Sequence, residues 1–582
     1  MNVLLIIPQF KYEYGGRKKA NYFFPLGIAY ISSYLKSKNY RVYNYNGAFF
    51  SEHEAEKALN NIIISNQIDI VGIGGLSAEF SSILFYSNLV KKINPSILLV
   101  LGGGFVTGSP KTAMELVPLA DIGIIGQGEV VFEHIVDACE KKYDFLQIEN
   151  IIYRNIMNQL VQNKYVFHDF ELDSLPFPDY DGFWFPKLID INESIVGERI
   201  ASVIGSRSCP FSCTFCFHPS GEKYSRRSVD NILEEIEWLI KKYGITKVSL
   251  TDELFVNDKK YLYDFCEKIR KLSISWECCA RVDSIDENIL DTLKKANCQR
   301  ISFGLESADD SVLKSMKKNI NHQMISNALK LTRNAGIEAV GAFIFGDVRE
   351  DMETAKRSLD YYLSHQEHAI DLNMLRVFPG SEDYKYALDN KIIEDELEYI
   401  RTGCPLINIS KLKDQEFLEL KVLIEDTIAQ KKRLPLNVSF SKKEGQYLCK
   451  YKCPRCGSEN IIAISRLSDV LEGFCCYCSD YFHFSVLDCY EAELIKLLDS
   501  FYAKNKEIIL FPINNISIKI HDIYFQSREL QFYDTRYSNT KFKLVKEIKK
   551  NSIVINCSIG KKVVSSKDMI FIDDLTERLT MS

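Results

Sequence analysis

The stretch Cys209-Pro210-Phe211-Ser212-Cys213-Thr214-Phe215-Cys216 constrains this chain more than any other. Three thiols at spacings of four and three follow a short apolar run, Ala201 to Gly205, that reads as a strand. A tetrahedral zinc site takes four ligands, usually as two CxxC pairs. Three clustered cysteines with no fourth nearby suit a cubane [4Fe-4S] cluster with one iron left open. An open metal position is a place for a ligand to bind, as in catalytic zinc sites. The plainer alternative, a loop of inert buried thiols, does not call for this clustering.

The chain has 582 residues, and at roughly 150 residues per domain this suggests three or four domains. Apolar residues make up 46%, enough for sizeable cores, and the net charge of −6 argues against an extended nucleic-acid surface. The opening MNVLLIIPQF lacks a basic region before its short apolar run, so it reads as a strand and not a signal peptide. No stretch of about 18 uncharged apolar residues predicts a membrane span. The 17 cysteines then point to a reducing cytoplasm and to metal sites, not disulfides.

Over residues 1–150, strand-like runs recur at Val3–Ile7, Arg41–Tyr45, Asp69–Gly74, Ile97–Leu101 and Asp121–Ile125, with helical patterns between them. This alternation predicts an α/β, doubly wound parallel sheet. Glycines fall at the carboxyl ends of its strands: Gly74-Gly75-Leu76-Ser77, Gly102-Gly103-Gly104 and Gly126-Gln127-Gly128-Glu129. Ligands of such sheets bind there, and glycine lets backbone approach them closely. None of the three clusters is GxGxxG, so a dinucleotide is the weaker expectation. Residues 151–195 then read as a connector, since Pro176 and Pro178 interrupt regular structure.

Residues 196–400 repeat the strand–helix unit six times, with strands at Ala201–Gly205, Lys247–Thr251, Ser275–Ala280, Arg300–Leu305, Glu338–Phe345 and Ile370–Val377. The expected architecture is a partial (β/α)6 TIM barrel with function at the carboxyl strand ends. The cysteine loop follows the first strand. Asp252-Glu253 follow the second, Arg281-Val282-Asp283 the third, Glu306-Ser307 end the fourth, Gly346 ends the fifth and Pro379-Gly380-Ser381 follow the sixth. Each acidic residue alone could be a helix cap or a surface ion pair. Their recurrence at successive strand ends favours a shared site.

After a helical connector at 401–445, Cys453-Pro454-Arg455-Cys456 and Cys475-Cys476-Tyr477-Cys478 form CxxC-x18-CxxC, the spacing of a zinc ribbon over 446–485. Cys449 and Cys476 are adjacent spares. The neighbours Tyr477, Asp480, Tyr481 and Phe482 form no basic patch, so a structural clip is expected over nucleic-acid contact. Apolar runs at Ile508–Phe511, Leu530–Tyr533, Ser552–Asn556 and Met569–Ile572 suggest a small α/β module over 486–582, without a glycine-rich first turn at Phe511-Pro512-Ile513-Asn514.

The CxxxCx(aromatic)C spacing resembles that of the radical S-adenosylmethionine (SAM) enzymes. Residues up to about 400 resemble the subfamily with a preceding cobalamin-binding (B12-binding) domain. Pro25-Leu26-Gly27-Ile28-Ala29-Tyr30, Gly102-Gly103-Gly104, Gly126-Gln127-Gly128-Glu129, Leu172-Asp173-Ser174-Leu175-Pro176-Phe177-Pro178 and Gly304-Leu305-Glu306-Ser307 are similar to its recurring phrases. The resemblance implies that Cys209, Cys213 and Cys216 hold the cluster and that SAM chelates the open iron. Phe215 would pack near adenine, Asp252 and Glu253 would meet the SAM ammonium, Glu306 the methionyl or ribose part, and the backbone at Gly346 the adenine. Gly75, Ser77, Gly103, Gly104, Gly128 and Glu129 would contact cobalamin. No DxHxxG occurs, so no lower axial histidine is expected, and the subfamily commonly lacks one. His53 and His134 stand outside any such context. Gly346-Asp347-Val348-Arg349-Glu350 departs from the subfamily's GLPGE-like turn, which puts the local turn in question. The implied activity is methylation of an unactivated carbon in a small molecule or peptide, with an electron donor such as flavodoxin or ferredoxin. The alternatives are a cobalamin-dependent cyclisation or rearrangement without methyl transfer, and a non-catalytic cobalamin- or zinc-binding regulator. A methylthiotransferase fits less well, because no second cluster domain is visible.

Overall fold

A computed structural model describes residues 1–8, 24–167, 171–221, 223–443, 446–464 and 471–502, with Glu507–Phe511, Ile520, Gln531–Phe532, Ser552–Asn556 and Met569–Phe571. Strands β1 (Asn2–Ile7), β2 (Arg41–Asn46), β3 (Ile70–Gly74), β4 (Leu98–Gly102) and β5 (Ile122–Ile124) pair in parallel in the order β2-β1-β3-β4-β5. β1 is nearly continuous apolar sequence because helices cover both faces of the sheet. Strand order reverses beside β1 and β3, so the crevice at their carboxyl ends is where this topology admits a ligand.

The sheet extends beyond residue 150. β6 (Ile151–Arg154) and β7 (Leu160–Gln162) add as antiparallel strands and bring it to seven. These residues were expected to open the connector. They instead cover the edge of β5 with a buried Ile151-Ile152-Tyr153.

The segment from Asp173 to Tyr180 is pinned to both neighbours. Asp179 Oδ2 accepts from Ser32 at 2.6 Å, Lys36 at 2.6 Å and Asn44 at 2.7 Å in the first domain. Tyr180 donates to Glu235 at 2.7 Å, and Asp173 accepts from the Ser228 amide at 2.8 Å, in the second. Tyr180 and Glu235 are buried, and apolar packing runs from the first sheet through Tyr180 and Phe183 into the barrel.

The second domain begins with β8 (Ile200–Val203), and a small antiparallel ribbon, β9 (Ser206–Arg207) with β10 (Ser225–Arg226), follows. β11 (Lys247–Leu250), β12 (Ser275–Ala280), β13 (Cys298–Glu306), β14 (Glu338–Phe345) and β15 (Ala369–Met374) complete an open six-stranded sheet in the order β15-β14-β13-β12-β11-β8. The pairs are parallel, as a partial (β/α)6 barrel requires. The helix Val229–Tyr243 shows how the sequence sets these units. Ser228 caps it by accepting from the Asn231 amide, and Gly244 ends it at φ 65°. Val229, Ile232, Leu233, Ile236, Leu239 and Tyr243 form the buried stripe at helical spacing.

The tail begins with antiparallel strands Leu436–Lys443, Gln446–Lys452 and Glu459–Ile464, then the hairpin Leu471–Phe474 and Tyr481–Phe484. Among the described residues four short parallel strands follow: Glu507–Phe511, Gln531–Phe532, Ser552–Asn556 and Met569–Phe571. Tyr533, Pro512, Ile513 and Asn514, singled out from the sequence, lie outside the described residues. Among the described residues no helix is long and apolar enough to cross a membrane.

Candidate functional site

A cavity of about 530 Å³ opens where the first domain's crevice faces the barrel mouth. This lies within the range of ligand pockets, about 300–1,000 Å³. One wall is the glycine rim, including Gly74, Gly75, Gly103, Gly104 and Gly128. The opposite wall is Ser206, Arg207 and Ser208, immediately before Cys209, with Pro219 and Glu253.

The rim is glycine for steric reasons. Gly103 sits at φ 78°, and a Cβ there would come within 2.7 Å of the Gly75 carbonyl oxygen. That oxygen accepts from the Phe105 amide at 2.9 Å, which locks the two turns together. A Cβ at Gly104 would meet Leu76 at 2.8 Å. The backbone surface left bare suits a large planar ligand such as a corrin. Of the residues expected there, Gly75, Gly103, Gly104, Gly128 and Glu129 line the cavity. Ser77 does not; it is buried at the start of a short 3-10 turn.

The cysteine loop hangs from β9. Its turn is closed by Cys216 N–H donating to Cys213 O at 3.1 Å, and Thr214 is tied to Met316 O at 3.2 Å and to the Asp383 amide at 3.1 Å. Cys209 and Cys213 are half-buried and Cys216 is exposed. The hydrogen bond with Cys216 pulls the Cys213 thiol down to about 6 and holds Cys216 well above the thiol range. Burial raises Cys209. Cations flank the loop. The Arg281 guanidinium lies 3.9 Å from the Phe211 ring centroid, and Lys318 Nζ lies 6.0 Å from that of Phe215. Arg281 also donates to Lys318 O at 2.7 Å. Each cation is itself paired, Arg281 with Asp283 at 2.9 Å and Lys318 with Glu306 at 2.7 Å, so the three thiols sit beside two ion pairs whose cationic ends face the loop's aromatic rings.

The acidic residues divide by role. Asp252 is buried, and its carboxylate accepts from Gly205 N at 2.9 Å and Ser206 Oγ at 2.5 Å. Burial pushes it up to about 6. It braces the strand end that launches the cysteine loop and does not line the cavity. Glu253 does line it, and its carboxylate lies 2.6 Å from His218 Nδ1, whose pKa this hydrogen bond raises. Glu306, at φ 62°, accepts from Lys318 Nζ at 2.7 Å. Burial opposes the charge on Lys318, and the charge and hydrogen bond of Glu306 outweigh it, so its pKa is raised. Gly346 stands at φ 113° and donates its amide to the buried Glu350. That turn, where the sequence departs from the subfamily's pattern, is thus closed by its own last residue.

Lys318, Arg207 and His218 escape a reading of the sequence. Lys318 is 12 residues beyond its partner Glu306 and Arg207 is 78 from Glu129, separations with no local periodicity to announce them. A second close contact is equally silent. Gly380, at φ 94°, leaves no room for a Cβ against the Phe217 ring, and a Cβ at Gly108 of the first domain would meet the Pro379 carbonyl carbon at 3.0 Å. The last barrel turn is therefore wedged between the first domain and the residue after Cys216.

The four tail cysteines converge. Cys453 and Cys478 sulfurs are 3.7 Å apart, those of Cys456 and Cys475 3.6 Å, and all four ligand atoms lie within 4.8 Å of one another. A tetrahedron with Zn–S bonds of ~2.3 Å has edges of about 3.8 Å. The set is compatible with zinc. Thiols of a cubane bind separate irons and stand further apart. Cys449 is buried elsewhere in its strand, and Cys476 turns to Asn460 Oδ1 at 3.1 Å. The ribbon grips the amino-terminal end of β14: Asp480, 1% exposed, pairs with Arg333 and Arg433, and Ser479 donates to Gly336 O at 2.9 Å.

Comparison with known proteins follows the same partition. The model of the Radical SAM superfamily matches residues 203–361, and that of the B12 binding domain residues 16–136. An uncharacterized methyltransferase of Pyrococcus horikoshii is 28% identical over 63% of this chain and 79% of its own. The anaerobic magnesium-protoporphyrin IX monomethyl ester cyclase of Rubrivivax gelatinosus is 28% identical over 62% of this chain and 65% of its own, just under two thirds of that enzyme. In structure, the radical SAM methyltransferase TsrM from Kitasatospora setae, solved with cobalamin and a [4Fe-4S] cluster, aligns with a TM-score of 0.56 at 16% identity, over 68% of this chain and 76% of that one. The family's cofactors are a [4Fe-4S] cluster, SAM and cobalamin, and the thiol loop and glycine rim fit them. Domain order, strand topology and the cysteine loop agree with these matches: a region that matches the B12 binding domain precedes one that matches the Radical SAM superfamily.

Proposed function

We propose that the protein is a cobalamin-dependent methyltransferase that acts on an unactivated carbon of a small molecule or peptide. The observation that carries this reading is the shared cavity, where the glycine rim faces the residues that lead into Cys209. When bound, the cluster supplies one-electron cleavage of SAM and cobalamin supplies a transferable methyl group. An sp³ carbon without a lone pair or acidic proton needs both, since polar methylation gives it no electrons to attack with.

The chain's own part is to hold, orient and exclude water. Cys209, Cys213 and Cys216 are the cluster ligands in this reading, with Lys318 and Arg281 offsetting its negative charge. In this reading Glu253 accepts from the SAM ammonium; what supports it is that Glu253 lines the cavity and that His218 fixes the direction of its carboxylate. Asp252, first considered for that ammonium, supports the strand end instead. Phe215 backs the adenine, Gly346 offers it backbone, and Glu306 faces the methionyl or ribose part. Gly75, Gly103 and Gly104 form the floor for cobalamin. Catalysis needs a low-potential electron donor such as flavodoxin or ferredoxin, and a reducing cytoplasm is the setting that preserves these thiols.

A second reading is kept because a cyclase is among the relatives. Anaerobic turnover with methyl-deuterated SAM separates the two. Methyl transfer predicts 5′-deoxyadenosine and S-adenosylhomocysteine in comparable amounts and a deuterated product. Deoxyadenosine without any homocysteine product overturns the methyltransferase reading and leaves the cyclase one.

A further inference from the structure

The cysteine loop is held at both ends by one turn of the other domain. At its start, Arg207 Nη2 donates to Glu129 Oε1 at 2.6 Å and Nη1 to Gln127 Oε1 at 3.0 Å. At its end, Gln127 Nε2 donates to Ser220 O at 3.2 Å. Cys209, Cys213 and Cys216 all lie between these two anchors. The pair is buried, with side-chain exposures of 10% for Arg207 and 3% for Glu129, and the guanidinium sits 5.3 Å from the Tyr30 ring centroid. The turn is itself fixed in the first domain, because Gly126, at φ 80°, donates its amide to Thr107 Oγ1 at 2.9 Å.

We infer that the turn Gly126–Glu129 is an interdomain brace that sets the separation between the two cofactors, with Arg207 as its positioning residue. This rests on the shared-cavity reading above. Gln127, Glu129, Arg207 and Ser220 also line the cavity, so the brace bounds the space it measures. Glu129 was expected to contact cobalamin. It lines the cavity, and its carboxylate also pairs with Arg207 and so holds the loop. The planar guanidinium fork engages two acceptors at once, which a lysine ammonium does not reproduce. Transfer between two cofactors across one cavity depends on their spacing, and misplacement by about 1 Å can cost ~100-fold in rate.

The test uses the full-length protein, anaerobic, with its cluster reconstituted and cobalamin loaded. The reduced cluster and cob(II)alamin are both paramagnetic, so pulsed electron paramagnetic resonance reads their dipolar coupling. The wild-type protein is expected to give one defined coupling. Arg207→Lys and Gln127→Ala are expected to broaden it while iron and cobalamin contents stay unchanged. The ratio of deoxyadenosine to methylated product should rise about tenfold or more. The exchange Arg207→Glu with Glu129→Arg should narrow the coupling again relative to Arg207→Glu alone. Gln127→Ala leaves the buried ion pair intact, so it tests the brace even if the charge variants do not fold. Unchanged coupling and product ratio in both Arg207→Lys and Gln127→Ala overturn the brace and leave the shared cavity standing. Absence of any coupling in the wild-type protein overturns the shared cavity, and the brace with it.

Discussion

Lys318 Nζ lies 2.7 Å from Glu306 Oε1, each side chain 10% exposed, beside the loop that carries the three clustered thiols. A buried ion pair gains little over a matched apolar pair, but removing one partner strands the other without water. Lys318→Met is therefore expected to cost ~3–5 kcal/mol. The double variant Lys318→Met, Glu306→Met should recover most of that loss. Chemical denaturation of the four proteins in a double-mutant cycle measures it. A double variant that loses the sum of the two single losses would mean the two residues do not act as a pair.

The ribbon's four-cysteine site, whose geometry is compatible with zinc, predicts a separate behaviour. Cys456→Ser should lower the zinc content from about one per chain to near zero, since four thiolates complete the tetrahedron. The loss should loosen Asp480 from Arg333 and Arg433 and lower the melting temperature of the barrel, at about 2–4 °C for each kcal/mol in a domain of roughly 200 residues. Iron bound at the cysteine loop should not change, because the ribbon grips the opposite end of the barrel strands. Metal analysis and calorimetry on one preparation read all three. Loss of iron along with zinc would contradict the separation of the two sites.

Glu350 gives the fold a pH dependence. Burial, with the charges of Asp347, Asp309 and Asp351, pushes its carboxyl from 4.5 up to about 8. Between those values the folded chain holds a proton that the unfolded chain has released. The stability this contributes is present in full below about pH 4.5 and is lost as pH rises through about 8. Glu350→Gln retains an oxygen for the Gly346 amide and removes the titration. Its melting temperature should fall less than that of the wild-type protein between pH 5 and 9. Parallel profiles would show that Glu350 does not titrate in this range.

The strands of both domains were legible in the sequence because parallel, doubly covered strands are continuous apolar runs, and β12 and β14 fall on their expected residues. β6 and β7 were not, since runs as short as Leu160–Gln162 carry too little pattern to be told from a connector. The cysteine loop, the glycine rim and the ribbon were legible because each is a local spacing imposed by chemistry. Side chains that work across the fold were misjudged or missed. Asp252 stands off the cavity and engages Ser206, and Glu129, on the cavity wall as expected, also engages Arg207. Lys318 was not singled out at all. Such pairings arise when distant segments pack, and a single sequence carries no period that reports them.

The account stands on the three thiols at the barrel rim. Anaerobic reconstitution followed by iron and sulfide analysis and electron paramagnetic resonance of the reduced protein tests this directly. The wild-type protein is predicted to hold about four irons and four sulfides per chain, with the signal of a reduced cubane. The triple variant Cys209→Ala, Cys213→Ala, Cys216→Ala, with the ribbon intact, is predicted to lose both and retain its zinc. A triple variant that keeps the iron and the signal would contradict the account.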